Sequence, residues 1–313
     1  MSSEQPLTID LVIPVYNEAG VVEQTYTTLR GVIDCLPHKF IIYYVDDGSE
    51  DNTVDSLHVL ADQDERIIVL EFSRNFGHQA ALTAGLDASH GDFVISLDGD
   101  GQHPPEMIPQ MIDLFRNGYD IVQAQRIEEG RGFFKHFTSS GFYALMNNIS
   151  GTHMEPGAAD FRGLSRQVVE ALKSMPEYHR FLRGMISWMG YRSVILPYHE
   201  TRRVAGRSKY SFGKMFRLAM DAIFSFSLVP LYLGMTAGGI LLCLAAGQII
   251  YVLSFWLTGR SSELVPGWSS LMSVMLVIGG MIMILLGFIG VYVGYIFQEV
   301  KRRPVYLLKK RDK

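Results

Sequence analysis

Phe93-Val94-Ile95-Ser96-Leu97-Asp98-Gly99-Asp100-Gly101-Gln102 frames the reading of the whole chain. Its first half is apolar, aromatic and β-branched, which reads as a buried strand. The glycine-flanked acid pair that follows reads as a turn at the strand's carboxyl end. Outward from this segment the same figure recurs. The apolar run 9–15 leads into Tyr16-Asn17-Glu18, the run 40–46 into Asp46-Asp47-Gly48-Ser49, and the run 67–73 into Ser73-Arg74-Asn75; 121–126 is a fifth run. Segments of helical length (19–35, 53–63, 77–89 and 105–117) lie between the strands. Strand and helix in regular alternation predict an α/β domain with a mainly parallel sheet covered on both faces. Ligands of such sheets bind beyond the carboxyl ends of the strands, where these polar clusters fall. No GxGxxG or GxxxxGK[ST] occurs, which argues against a dinucleotide fingerprint or a P-loop.

Asp98 and Asp100 carry the sharpest chemistry. Two carboxylates two residues apart on a glycine turn converge on one hard cation, and oxygen ligands of this kind suit Mg²⁺ or Mn²⁺ bridging to substrate phosphates. A solvated acidic turn is the plainer reading; the other clusters at neighbouring strand ends favour the metal. His103 reads as a turn residue beside them.

Charge divides the 313 residues further. The net charge of −4 resolves into about −14 over 1–201, +6 over 202–217, −2 over 218–300 and +6 over 301–313. No Asp, Glu, Lys or Arg lies between Asp221 and Arg260, or between Glu263 and Glu299. Each gap exceeds the ~20 residues a helix needs to cross a bilayer. Both are glycine-rich, as packed membrane helices often are. The expectation is a catalytic body at 1–201, a basic amphipathic segment at 202–227 and a first span at 228–257. An outward loop at 258–270, a second span at 271–298 and a basic tail at 299–313 complete it. Six bases precede the first span and seven follow the second, against Arg260 alone in the loop, so both termini are expected in the cytoplasm, with the protein in a bacterial inner membrane. The first ten residues lack a basic and apolar leader, so no cleaved signal is expected. Two cysteines, Cys35 and Cys243, exclude a disulfide scaffold. The acidic body makes nucleic acid a poor partner.

Pro14-Val15-Tyr16-Asn17-Glu18, Asp46-Asp47-Gly48-Ser49, Asp98-Gly99-Asp100-Gly101-Gln102-His103-Pro104-Pro105-Glu106, Ala159-Asp160-Phe161-Arg162 and Gly206-Arg207-Ser208-Lys209-Tyr210 stand in this order ahead of the apolar gaps. The set resembles family 2 glycosyltransferases of the GT-A fold. With the membrane tail it resembles the polyprenyl-phosphate branch, which contains dolichyl-phosphate mannose synthase and bacterial undecaprenyl-phosphate glucosyl- and aminoarabinosyltransferases. The resemblance implies a nucleotide-sugar donor, held by Pro14, Tyr16, Glu18 and Asp46 with Asp47 and Arg74 assisting. It implies a Mg²⁺ or Mn²⁺ ion on Asp98, Asp100 and Gln102, with Asp98 and Asp100 serving donor and metal together. The acceptor phosphate would meet Arg126, Lys135 and Ser139, with Arg131 able to replace Lys135. Arg207 or Lys209 would reach the diphosphate or the lipid phosphate, while the surrounding basic, aromatic segment attracts anionic lipid.

Asp160 is the candidate base of an inverting transfer. A phosphate monoester has a second pKa of about 6 and is largely dianionic at neutral pH, so positioning rather than proton removal is the alternative role. Glucose from UDP-glucose is the expected sugar; GDP-mannose and UDP-4-formamido-arabinose are the alternatives within the class. A flippase component and a polysaccharide synthase are the rival classes. The first lacks broken-helix repeats, and the second lacks a Gln-x-x-Arg-Trp motif, for which Arg180-Phe181-Leu182-Arg183 is the nearest stretch. Small residues at Gly234 and Gly238 make a homo-oligomer plausible.

Overall fold

The computed structural model describes residues 5–127, 158–175, 177–178, 180–198, 229–259 and 267–309. They form two units, one of Met1–Tyr210 with Arg303–Lys313 and one of Ser211–Arg302.

The larger unit is built on a sheet of strands β1 (Thr8–Val15), β2 (Lys39–Asp46), β3 (Ile67–Glu71), β4 (Phe93–Ser96), β5 (Ile121–Arg126), β6 (Ala158–Ser165) and β7 (Ser193–Tyr198). Their order is β3-β2-β1-β4-β6-β5-β7. β1 runs parallel to β2 and β4, β2 to β3, and β5 to β7; β6 is antiparallel to both its neighbours. The mainly parallel expectation therefore holds, with one reversed strand wedged between β4 and β5.

Alternation along β1 explains the two-sided cover. Ile9, Leu11, Ile13 and Val15 enter the larger core, where they meet Val22, Tyr26, Leu29 and Ile33 of α1 (Val22–Ile33). That spacing is one face of a 3.6-residue helix. The same core takes Leu57 and Leu60 of α2 (Thr53–Gln63), and Ile108, Met111 and Ile112 of α4 (Ile108–Arg116). On the other face, Val45 and Phe72 pack on Ala80, Ala81 and Ala84 of α3 (His78–Ala88), whose small side chains let the helix lie close. Helices α5 (Arg166–Ser174) and α6 (Leu182–Trp188) complete the unit. Pro14 has no N–H to give, and it lies beyond the last β1–β4 partner pair, Val12 with Ser96.

The smaller unit contains helix α7, Val229–Leu257, of 29 residues, and helix α8, Trp268–Lys301, of 34 residues. Among the described residues one stretch, Val277–Lys301, is long and apolar enough to cross a membrane. Helix α8 stops at Lys301, where Arg302 turns left-handed (φ 47°) and Pro304 bars continuation. The tail expected at 299–313 thus splits: its start is helix, and residues from Arg303 belong to the larger unit.

Candidate functional site

Three loops meet at the carboxyl edge of the sheet and are sewn to one another by short polar side chains. Asn17, with a positive φ of 54°, donates its N–H to Ser49 Oγ at 2.9 Å and accepts the Glu50 N–H on Oδ1 at 2.8 Å. The Glu18 N–H donates to Thr53 Oγ1 at 2.9 Å. Asp46 is wholly buried, and its carboxylate takes the N–H groups of Gly48 and Ser49. Such local side-chain turns satisfy backbone donors that no strand or helix can.

Gly48 sits where the second loop crosses the third. Its φ is +70°, and a Cβ there would lie 2.4 Å from the carbonyl carbon of Arg74. Gly48→Ala is expected to cost about 1–3 kcal/mol through backbone strain and displacement of the crossing loop. A lowered thermal midpoint together with weakened nucleotide binding would register it; an unaltered midpoint would contradict it.

Asp47 turns out to be an anchor. Its Oδ1 accepts the Phe76 N–H at 2.7 Å, and both its oxygens lie within 3.1 Å of the Gly77 nitrogen, at the entrance to α3. Burial pushes its carboxyl pKa up, against the pull of those two donors. A carboxylate used in this way holds the loop that leads to His78, whereas the resemblance pointed to donor contact. Arg74 lies over the Phe76 ring, 4.1 Å from its centroid.

The acid turn follows β4. Gly99 allows it to fold against β1, since a Cβ there would be 2.6 Å from Val15 Cγ1. The Asp98 N–H donates to His103 Nδ1 at 2.9 Å, which puts the proton of the neutral ring on Nε2, 3.7 Å from Asp98 Oδ2. His103 is buried and stacks on Phe161 at 5.0 Å, with Tyr198 edge-on to both rings. It is a turn residue, as expected, and it ties the turn to β6 and β7. Asp100 Oδ1 accepts the Gln102 N–H at 3.1 Å. Asp98 Oδ1, in contrast, is shut from solvent and receives no hydrogen bond among the described residues.

Beside it lies a charge cluster that no local pattern announced. The reversed strand β6 brings Asp160 next to β4, where Ser96 Oγ donates to the Asp160 carbonyl at 2.6 Å. The Asp160 carboxylate receives Arg162 Nη2 at 2.6 Å, and Arg183 through Nε and Nη2 at 3.0 Å each. His78 Nε2 stands 3.4 Å from Asp160 Oδ2 and 3.6 Å from Asp98 Oδ1, bridging the two acids. Burial works to raise the Asp160 pKa, but His78, Arg183 and Arg162 outweigh it and hold it well below the usual carboxylate range. Desolvation opposes the imidazolium of His78, and Asp160 and Asp98 overcome it, so its pKa is raised. Burial drives the Arg162 guanidinium down to about 10 despite Asp160. The result is an anion kept ionised between two guanidinium groups and the His78 imidazole, 7% exposed, at the edge where ligands of such sheets bind.

Of the residues expected to form the site, Pro14, Tyr16, Glu18, Asp46, Asp47, Arg74, Asp98, Asp100, Gln102 and Asp160 all fall on this edge or its loops. Arg126 ends β5 opposite Tyr198, exposed and on the same side. Arg131, Lys135, Ser139, Arg207 and Lys209 lie outside the described residues. His78 and Arg183 were missed as site residues. His78 opens a helix after Gly77 and looks from sequence like any helix start, while Arg183 drew notice only as part of a motif that is incomplete.

Comparison with known proteins shows the family and the fold. The family model described as glycosyl transferase family 2 matches residues 10–173, from β1 through α5. The chain is 37% identical over 301 residues to the uncharacterized glycosyltransferase YkcC of Bacillus subtilis, covering 96% of this chain and 93% of that protein. It is 39% identical over 307 residues to the bactoprenol glucosyl transferase of Shigella phage SfII, covering 96% and 97%. Glucosyl-3-phosphoglycerate synthase from Mycobacterium tuberculosis, solved with Mn²⁺, UDP and glucosyl-3-phosphoglycerate, superposes with a TM-score of 0.51 at 19% identity, over 71% of this chain and 80% of that one. That likeness bears on the fold, which is GT-A. The chain belongs to glycosyl transferase family 2 and is a glycosyltransferase.

Proposed function

We propose that this enzyme transfers glucose from UDP-glucose to the phosphate of a polyprenyl phosphate, with inversion at the anomeric carbon, at the cytoplasmic membrane face. The observation that carries the reading is end-to-end likeness to a bactoprenol glucosyl transferase, on a chain whose site holds an ionised acid beside one with an oxygen that receives no hydrogen bond among the described residues. Helices α7 and α8 would both cross the membrane, with the two termini on the cytoplasmic side. Their apolar composition and the basic segments outside them support this.

The residues present fit a divalent cation of the Mg²⁺ or Mn²⁺ kind. Asp98 and Asp100 offer hard oxygens within one turn, and Asp98 Oδ1 is buried and receives no hydrogen bond among the described residues. Among the described residues no group of three His, Cys, Asp or Glu side chains stands close enough to hold a metal alone. That suits an ion bound by one or two carboxylates and completed by substrate phosphates. Asp98 and Asp100, with Gln102, would hold it, and it would neutralise charge on the departing nucleoside diphosphate.

The protein's own side chains would do the rest. The laced loops around Tyr16, Glu18 and Asp46 would hold the base and ribose. Arg126, with Arg131, Lys135 and Ser139, would meet the acceptor phosphate, and Arg207 or Lys209 the lipid or diphosphate. An acceptor phosphate oxygen attacks the anomeric carbon as the bond to the diphosphate breaks, and the nucleoside diphosphate leaves with that electron pair. Asp160, already ionised and fixed by two guanidinium groups and the His78 imidazole, would orient a reactant hydroxyl or the acceptor; a dianionic phosphate needs little help from a base.

Membranes containing the enzyme, radiolabelled UDP-glucose and undecaprenyl phosphate are expected to yield a chloroform-soluble, acid-labile glucolipid. Label appearing instead in long polymer, or a product only from GDP-mannose, would overturn the reading.

A further inference from the structure

The segment after α8 is tied back to the catalytic unit by a single β-bridge and its flanking backbone hydrogen bonds. The Ser73 N–H donates to the Leu307 carbonyl at 2.9 Å, and the Lys309 N–H to the Glu71 carbonyl at 2.8 Å. Phe72 and Leu308 form an antiparallel bridge between them. The tail thereby meets the sheet at the carboxyl end of β3, its edge strand on that side, and at the residues that follow.

Side chains make the seal specific. Tyr306 stacks on the wholly buried Phe72 with ring centroids 5.3 Å apart and planes at 9°, and its hydroxyl donates to Asp87 Oδ2 at 3.2 Å. Val305 and Tyr306 close the small core formed by Val45, Phe72, Ala80, Ala81 and Ala84. Phe72 meets Phe76 edge-on at 5.6 Å, and the Phe76 ring carries the Arg74 guanidinium. The loop from Phe72 to Gly77 is thus clamped from two sides. Asp47 holds it from within by the Phe76 and Gly77 N–H groups, and the tail holds it from outside. This loop presents Arg74 and sets the start of α3, from which His78 reaches Asp98 and Asp160.

We propose that residues 304–309 are a strap that positions the 72–77 loop for the nucleotide-sugar donor, with Tyr306 as its positioning side chain. The proposal rests on the donor assignment made above.

The test uses the full chain in membranes or detergent. Tyr306→Ala and Lys309→Pro, which removes the N–H given to Glu71, are expected to raise the donor KM about tenfold while kcat stays within about threefold of the parent. Amide exchange across 72–77 should quicken in both. Lys309→Ala retains the N–H and should shift KM far less than the proline. Tyr306→Phe keeps the ring stack and loses the Asp87 bond, so its KM should fall between parent and Tyr306→Ala; it also remains informative if the alanine variant does not fold. Unchanged KM in Tyr306→Ala and Lys309→Pro, or a fall in kcat at constant KM, overturns the proposal. So does unchanged exchange at 72–77, a result independent of which sugar nucleotide is used. Failure of the parent enzyme to turn over UDP-glucose would instead remove the donor assignment while leaving the exchange result to judge the strap.

Discussion

Asp98→Asn is expected to lower transfer by more than about 10³-fold and leave the fold nearly as stable as before. Charge stabilisation by a bound metal supplies several kcal/mol in the transition state, and each ~1.4 kcal/mol is a factor of ten in rate. Stability should be largely spared because the contacts of this carboxylate with His78 and His103 are long, at 3.6 and 3.7 Å, and asparagine keeps its shape. Its Oδ1 receives no hydrogen bond among the described residues, and His103 is bound by the Asp98 backbone N–H, which asparagine retains. Rate and stability therefore separate at this position. Mn²⁺ binding followed by electron paramagnetic resonance should weaken in parallel, giving a readout besides turnover. A variant that keeps more than a tenth of the activity and an unaltered Mn²⁺ titration would take Asp98 out of the metal site.

At Asp160 both properties should fall together. Asp160→Asn is expected to reduce kcat by about 10²-fold or more, the scale on which a positioned acid or base contributes. It should also cost on the order of 3 kcal/mol, because breaking a buried pair leaves the other charge uncompensated. Here that charge is Arg162, 3% exposed, its pKa already pulled down to about 10. Arg183 is partly exposed, and water will soften its loss.

The pH dependence follows from the direction of the Asp160 shift. A carboxylate whose folded pKa is depressed stabilises the fold above the unfolded value of about 4, and that contribution is lost as pH falls through the folded pKa. The stability gap between parent and Asp160→Asn should narrow as pH rises above about 6.5, where the His78 charge that Asp160 supports is lost, and shrink again below about 4. By the same shift, Asp160 does not titrate between pH 6 and 8. The pH profile of kcat should then keep its shape in the variant while its height falls. Loss of an acidic limb in that range would show that Asp160 takes up a proton during turnover, and wild-type kcat would remove it from the mechanism.

Much of the frame is legible without coordinates, for a physical reason visible in particular segments. β1, β2 and β4 alternate or run apolar because their packing repeats every two residues, and α1 shows its face at every third and fourth residue. Polar clusters mark strand ends because those residues leave the sheet for water and ligand. β6 and β7 escape the same reading. The β6 sequence AADFRGLS has few apolar residues and a β-bulge opposite β5, and its place between β4 and β5 depends on partners far along the chain. β7 alternates, but as an edge strand with exposed Ser193 and Ile195 it gives a weak signal.

The sequence by itself determined the alternating α/β order, the acid pair at a strand end, the two long apolar stretches and the family. Each is written in residues adjacent in the chain or repeated at a fixed period. Only the tertiary structure decided what individual charged groups are used for. Asp47 and Asp98 look alike in a motif, yet one spends its oxygens on the entrance to α3 and the other keeps a buried oxygen that receives no hydrogen bond among the described residues. Asp160 is an ionised anchor because α3, β6 and α6 each bring a basic side chain to it. Residues 304–309 read as part of a basic tail at 299–313, and they bridge to the catalytic unit because backbone groups of Glu71 and Ser73 at the end of β3 are open to them. The role of a side chain is set by its neighbours in space, and those come from segments that no local pattern connects.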